Sequence, residues 1–179
     1  MHVKGSSCLY PEKKTMIRRA QLQDLEQCLD LYNYYIRNTL YTLETEELTP
    51  TLFTERFRQV TAVYPWLVAE ENGEILGYAY LDVFNPRKAY SRACDLSLYV
   101  RSDQRGRGTG TLLLQAIEEE AHRAGMVCMI SIVTGVNEPS IRFHEKAGFV
   151  RVADIPRCAY KHGEWTGVYY YQKMLSPSE

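Results

Sequence analysis

Several things are missing from this sequence, and each absence narrows what the chain can do. There is no surplus of charge: 21 lysines and arginines stand against 22 aspartates and glutamates, a formal net charge of -1. Without a basic surplus there is no electrostatic reason to expect nucleic acid or an anionic membrane surface as partner. No apolar run approaches the roughly 18 residues needed to cross a bilayer, and the N-terminus lacks the apolar core of a secretory signal. The expected location is therefore the cytoplasm. The five cysteines, Cys8, Cys28, Cys94, Cys128 and Cys158, are odd in number and form no C-x-x-C pair, as expected of reduced thiols rather than a disulfide framework. His2, His122, His144 and His162 show no metal-ligand spacing, so no metal is expected. Internal repeats and low-complexity segments are absent too.

What remains is ordinary globular material. The 179 residues are 45% hydrophobic and 12% aromatic, enough for one core. A single domain over residues 16–175 is expected, with residues 1–15 as an N-terminal tail and 176–179 as a C-terminal one. Met16 to Ala20 reads as a short strand, and Leu22, Leu25, Leu29, Tyr32 and Ile36 then recur at helical spacing. A polar stretch leads to a second helix from Leu52 to Val63, ended by Pro65. Trp66–Glu70 and Ile75–Phe84 read as a hairpin around Asn72-Gly73. From Cys94 to Val100 residues alternate, with Asp95, Ser97 and Tyr99 on one face. A third helix carries Leu113, Leu114, Ile117, Ala121 and Ala124, and its Glu118–Glu120 run reads as a solvated face. Met126 to Val133 is nearly all apolar, as a mid-sheet strand covered on both faces would be. A short helix from Ser140 to Ala147 follows, then strands Phe149–Ala153 and Val168–Met174, with Lys161–Glu164 as a turn. The order is β-α-α-β-β-β-α-β-α-β-β, an α/β (α+β) fold with a mixed sheet and helices on both faces.

The chemistry concentrates in Arg105, Gly106, Arg107, Gly108, Thr109, Gly110 and Thr111, which follow a strand and open a helix. Unpaired N–H groups at such a helix start, with glycines that let a ligand come close, make a cradle for a pyrophosphate. No lysine follows the glycines, so this is no Walker loop, and the G-x-G-x-x-G spacing of a dinucleotide loop is not met either. A tight, soluble turn is the bland alternative. Asp95 is a candidate general base, or else an aspartate satisfied by backbone donors.

The R-x-x-G-x-G string at Arg105, Gly108 and Gly110, with NEPSIRFHEKAGF over residues 137–149, resembles the GCN5-related N-acetyltransferase (GNAT) superfamily over Met16 to about Leu175. Tyr64–Glu70, Ala89-Tyr90, Ser97–Val100, Pro139–Arg142 with His144-Glu145, and Lys161–Gly163 are similar to the branch that acetylates phosphinothricin and methionine sulfoximine. The resemblance implies a mostly antiparallel sheet with a splayed fourth strand, and acetyl-CoA held by Leu98, Tyr99, Val100, the loop from Arg105 to Thr111, Asn137 and Lys146. It implies direct transfer to a small amino-acid-like amine, without an acetylated enzyme, and a homodimer with the tyrosine-rich last strand as a contact. Asp95 falls where the branch has a glutamate, one methylene longer. His144 falls where members carry a group that protonates the leaving thiolate. Asn85, Pro86, Arg87, Tyr90, Leu96 and Ser97 fall around the branch's substrate, with Arg87 facing a carboxylate, while Leu43 replaces an aromatic ring. Competing readings are an acyl-CoA-binding module without chemistry, a nucleotide-phosphate binder, and an acetyltransferase for another small amine.

Overall fold

The computed structural model describes residues 15–175. Seven strands form one sheet in the order β1-β2-β3-β4-β5-β7-β6: β1 (Met16–Arg19), β2 (Trp66–Glu71), β3 (Glu74–Val83), β4 (Ala93–Val100), β5 (Cys128–Thr134), β6 (Val150–Lys161) and β7 (Glu164–Met174). Four helices cover it, α1 (Leu25–Asn38), α2 (Pro50–Thr61), α3 (Thr109–Arg123) and α4 (Glu138–Lys146). Every neighbouring pair of strands is antiparallel except β4 and β5. The expected mixed, mostly antiparallel sheet with helices on both faces is what forms.

Alternation along the strands splits the core in two. Leu67, Ala69, Ala79, Leu81, Cys94 and Leu96 pack under Leu113, Ile117 and Ala121 of α3, an aliphatic layer. On the opposite face Trp66, Val68, Tyr78 and Tyr80 pack under Leu25, Tyr32 and Ile36 of α1 and Phe53 and Phe57 of α2, an aromatic layer. Trp66 and Tyr80 stack with ring centroids 4.2 Å apart. Tyr32, Tyr78 and Tyr80 are packing residues of this layer.

Local signals explain most boundaries. Thr49 caps α2, accepting from the Leu52 N–H, and Pro50 takes the first turn, so the helix starts two residues before Leu52. Asn72 and Gly73 both take positive φ, 54° and 83°, which is what the tight β2–β3 hairpin demands.

Three expectations need correction. The last two strands are much longer than Phe149–Ala153 and Val168–Met174, because residues 154–160 continue β6 past an irregularity between Ile155 and Ala159. Pro156 and Arg157, the latter at φ 50°, hide that continuation from a reading based on alternation. β5 is interior but not covered on both faces: Ile132 is 44% exposed, because β4 turns away from it. In addition, β7 is not an edge. It lies between β5 and β6, so the edges of the sheet are β1 and β6.

Candidate active site

The parallel β4–β5 ladder is short. It pairs Ala93 with Cys128, Cys94 with Met129 and Asp95 with Ile130, and ends there. Beyond that point the strands part, and Leu96 to Val100 and Ser131 to Val133 line the two walls of a cleft of about 470 Å³. Main-chain groups on the inner edges of both strands are left without ladder partners; Ser131 Oγ reaches Leu96 O only at 3.5 Å. An extended ligand carrying amides can pair with such edges as a strand would.

One end of the cleft is the start of α3. Gly108 caps the helix at φ 86°, a left-handed conformation that glycine reaches without strain. The first helical bond is Leu112 N–H to Gly108 O, so the N–H groups of Thr109, Gly110 and Thr111 have no acceptor within the helix. A Cβ on Gly110 would lie 3.4 Å from the Phe143 ring and 3.6 Å from Val100, so glycine keeps this entrance open. These features fit the diphosphate of a CoA thioester. Arg105 is at hand: its guanidinium donates to Tyr35 Oη at 3.2 Å and lies over the Tyr41 ring at 5.6 Å, while Tyr35 Oη donates to Val100 O at 2.6 Å.

The residues expected to hold the cofactor are gathered here with two exceptions. Leu98, Tyr99, Val100, Arg105, Gly106, Gly108, Gly110, Thr111, Asn137 and Lys146 all line the cleft. Thr109 is buried beneath the loop, and the Arg107 side chain turns to a separate small polar hollow beside Glu71 and Glu74. Asn137 also has a structural task, since its Oδ1 accepts from Ser140 N at 3.2 Å and caps α4.

His144 lines the same cleft and is only 4% exposed. Its Nδ1 lies 2.8 Å from Ser140 O, and a carbonyl oxygen can only accept, so that nitrogen carries the hydrogen. Nε2 is then a bare lone pair, buried and without a partner. Burial pulls the imidazole below its ordinary value, favouring the neutral ring. At rest His144 thus has an open acceptor site, not a spare proton.

Asp95 stands where the strands part, at the last β4–β5 pair. Its side chain points to the α1–α2 face with Ser97 and Tyr99, and Oδ1 is buried with no hydrogen-bond partner. Burial, then the facing carboxylate of Asp82, push this carboxyl up to about 7. Leu96 and Ser97, the next two residues, line the cleft. Asn85, Pro86, Arg87 and Tyr90 do not. They belong to the exposed β3–β4 connection, where Asn85 Oδ1 accepts from Arg87 N at 3.0 Å and Tyr90 meets Phe84 edge to face. The Arg87 side chain pairs with no group among the described residues.

Sequence reasoning missed Tyr35, Tyr41, Ser131 and Phe143 as cleft residues. Tyr35 sits on the apolar stripe of α1, and nothing in its spacing distinguishes a wall of the site from core. It also missed Lys161, 2% exposed at the β6–β7 turn, which donates from Nζ to Thr42 O at 2.8 Å and ties the α1–α2 connection down. Among the described residues no group of three or more potential ligands is placed to hold a metal, and no helix is long and apolar enough to cross a membrane.

This geometry has known counterparts. The L-methionine sulfoximine/L-methionine sulfone acetyltransferase of Pseudomonas paraeruginosa is 35% identical over 167 residues, 90% of this chain and 95% of that protein. An N-acetyltransferase structure from Staphylococcus aureus Mu50 superposes with a TM-score of 0.88 at 31% identity, covering 91% of this chain and 99% of the other. A GNAT superfamily phosphinothricin acetyltransferase from Sinorhizobium meliloti, in complex with acetyl-CoA, superposes with a TM-score of 0.86 at 29% identity, covering 92% and 94%. The Acetyltransferase (GNAT) family model matches residues 28–149. A parted β4–β5 pair aimed at a glycine-capped helix start is thus the cleft of an acetyltransferase, and the chain belongs to the GNAT family.

Proposed function

We propose that this protein transfers the acetyl group of acetyl-CoA directly to the amino group of a small amino-acid-like molecule of the phosphinothricin or methionine sulfoximine type. The observation that carries the reading is the ladder end at Asp95 and Ile130. There β4 carries the buried carboxylate of Asp95 just before Leu96 and Ser97 enter the cleft lining, and the α3 end of that cleft offers free N–H groups suited to a diphosphate. The likeness to sulfoximine and phosphinothricin acetyltransferases, extending over about nine-tenths of the chain, supports the substrate class.

When bound, acetyl-CoA supplies a thioester carbon open to attack. The Arg105–Thr111 turn holds its phosphates, with Thr109 and Arg107 shaping the turn rather than facing the ligand. The N–H groups on the open edge of β4, those of Leu98 and Val100, face the cleft and would meet the negative charge that gathers on the thioester oxygen, while that of Tyr99 turns to β3. An amine attacks only as the free base, so Asp95 takes one proton from the substrate's ammonium, directly or through a water that makes up for its short side chain. The nitrogen's second proton leaves as the C–N bond forms and the C–S bond breaks, and ends on the sulfur. A thiol of ordinary pKa near 8.5 is already a good leaving group, so His144 need only accept at Nε2 and return that proton. The unpaired Arg87 on its exposed loop is free to meet a substrate carboxylate.

The proposal extends to the assembly. One domain over residues 16–175 works as a homodimer in the cytoplasm, with the β6 edge as contact: Val150 is 65% exposed, Val152, Ile155 and Tyr160 are exposed beside it, and Trp165 lies near the turn. The tail expected over residues 1–15 lies, except for Thr15, outside the described residues, as do residues 176–179.

The test is a panel of amines, including L-methionine sulfoximine, L-methionine sulfone, L-phosphinothricin, ordinary amino acids and spermidine, assayed for thiol release from acetyl-CoA. The sulfoximine, sulfone or phosphinothricin should lead. Faster turnover of spermidine than of every amino-acid analogue would overturn the substrate class, and no thiol release with any amine would favour the binding module.

A further inference from the structure

We propose that Asp82, directly across the β3–β4 ladder from Asp95, is a positioning residue for the transfer: the two carboxylates form a pair that draws in the substrate's ammonium group and makes Asp95 a stronger base. This rests on the reading of Asp95 as the base.

The pairing follows from register. Asp82 and Asp95 are opposite partners in an antiparallel ladder, flanked by Leu81 with Leu96 and Val83 with Cys94. Opposite residues share a face and bring their Cβ atoms within about 4.5–5.5 Å. The face is the one with Tyr78 and Tyr80 on β3 and Tyr99 on β4, the α1–α2 side. Like charges set directly opposite each other oppose folding, and no cationic side chain among the described residues offsets them, although the Leu96 N–H favours the charged form of Asp95. Neither aspartate is in an ion pair among the described residues. Asp82 Oδ1 accepts only from its neighbour Val83 N, at 2.7 Å, and Asp95 Oδ1 accepts from nothing.

The surroundings leave the pair to itself. β3 contributes Tyr80, the turn before β2 contributes Tyr64, and both phenols are held protonated by burial. The thiol of Cys94, on the other face of β4, is pushed up to about 12 by burial. α2 presents Arg56, but Glu44 engages it at 2.6 Å and it lies over the Tyr32 ring. β5 sets Ile130 beside Asp95. The charge that acts on Asp95 is therefore that of Asp82, which adds to burial in raising its proton affinity.

No basic side chain among the described residues pairs with either aspartate, and an incoming ammonium group carries the opposite charge. Two carboxylates attract it more strongly than one. This also answers a difficulty raised by the sequence, where the base is one methylene short: a second acid from the next strand widens the region in which an ammonium is held.

The experiment measures kcat/KM against pH for the wild-type protein, Asp82→Asn, Asp82→Glu and Asp95→Asn, with L-methionine sulfoximine or the best amine of the panel. The wild-type acid limb should fall near pH 7. In Asp82→Asn it should move down by about one pH unit, with a several-fold higher amine KM and an unchanged acetyl-CoA KM. Asp82→Glu should restore both. A structural role alone would lower Tm without moving the limb. A folded Asp82→Asn protein with an unmoved limb overturns the pair, and if Asp95→Asn is nearly inactive in the same experiment, Asp95 survives as the base. If Asp95→Asn keeps both full activity and the limb, the base reading falls and Asp82 falls with it. Should Asp82→Asn not fold, Asp82→Ser replaces it under the same criteria.

Discussion

The two ends of the cleft are built from different material. The α3 end is main chain: Gly110 and Thr111 present N–H groups, and the walls are strand edges from Leu96 to Val100 and Ser131 to Val133. At the other end the proposed contacts are side chains, with Asp95 and Asp82 brought together from separate strands and Arg87 on an exposed loop outside the cleft lining. Main chain suits a ligand common to every member of a family, since it asks only for a short local motif. Side chains converging from distant elements can change one by one, and so suit the substrate that differs between members.

The sharpest way to break this contrast is Asp95→Asn. It keeps the shape and removes the base, so kcat/KM should fall by roughly 10²–10⁴ while acetyl-CoA still raises Tm as in the wild-type protein. Retention of full activity at neutral pH would show that the proton goes elsewhere. Gly110→Val attacks the opposite end. Its side chain must enter the space beside Phe143 and Val100, and the acetyl-CoA KM should rise by roughly tenfold or more with the amine KM little changed. An unaltered acetyl-CoA KM in a folded variant would move the cofactor elsewhere.

Stability against pH sharpens the same comparison. In the folded protein Asp95 binds its proton more tightly than at its ordinary value of 3.8, releasing it only at about 7. The stabilising contribution of that tight proton is complete below about pH 4 and is lost as the pH rises through 7. Asp95→Asn should therefore be more stable than wild type at pH 8, by roughly 1–3 kcal/mol, with the gap closing below pH 5. Urea unfolding at the two pH values checks this, and a variant less stable at pH 8 would contradict it. The smallest effect is expected from Arg87→Ala. An exposed arginine holding one end of a substrate contributes alike to ground and transition states, so the amine KM should rise about 3- to 10-fold with kcat nearly unchanged. An unmoved KM for the best acidic substrate would take Arg87 out of the site.

The cofactor end was legible because each of its signals is local. Gly108 and Gly110 before an apolar stripe mark a helix start, and Asn137 with Pro139 marks another. The amine end was half legible. Asp95 stood out on an alternating strand and by its likeness to a family glutamate, but Asp82 looked like any polar residue at the end of a hairpin. Thr109 and Arg107 sit in the motif yet turn away from the cleft, because adjacent residues of a tight loop cannot all face one ligand. His144 was expected as a proton donor. The Nδ1 contact with Ser140 O, which depends on the turn of α4, instead leaves its other nitrogen a lone pair.

By itself the sequence determined the number and order of the elements, the hairpin at Asn72-Gly73, the capped starts of α3 and α4, and membership in a family of acetyl transfer enzymes. Each of these depends on residues within one or two turns of chain. Tertiary structure alone decided where β4 leaves β5, that β7 lies inside the sheet and β6 at its edge, and that Asp82 faces Asp95 across the β3–β4 ladder. Register and strand order are set by packing across the whole sheet, between residues far apart in the chain, and no local pattern carries that information.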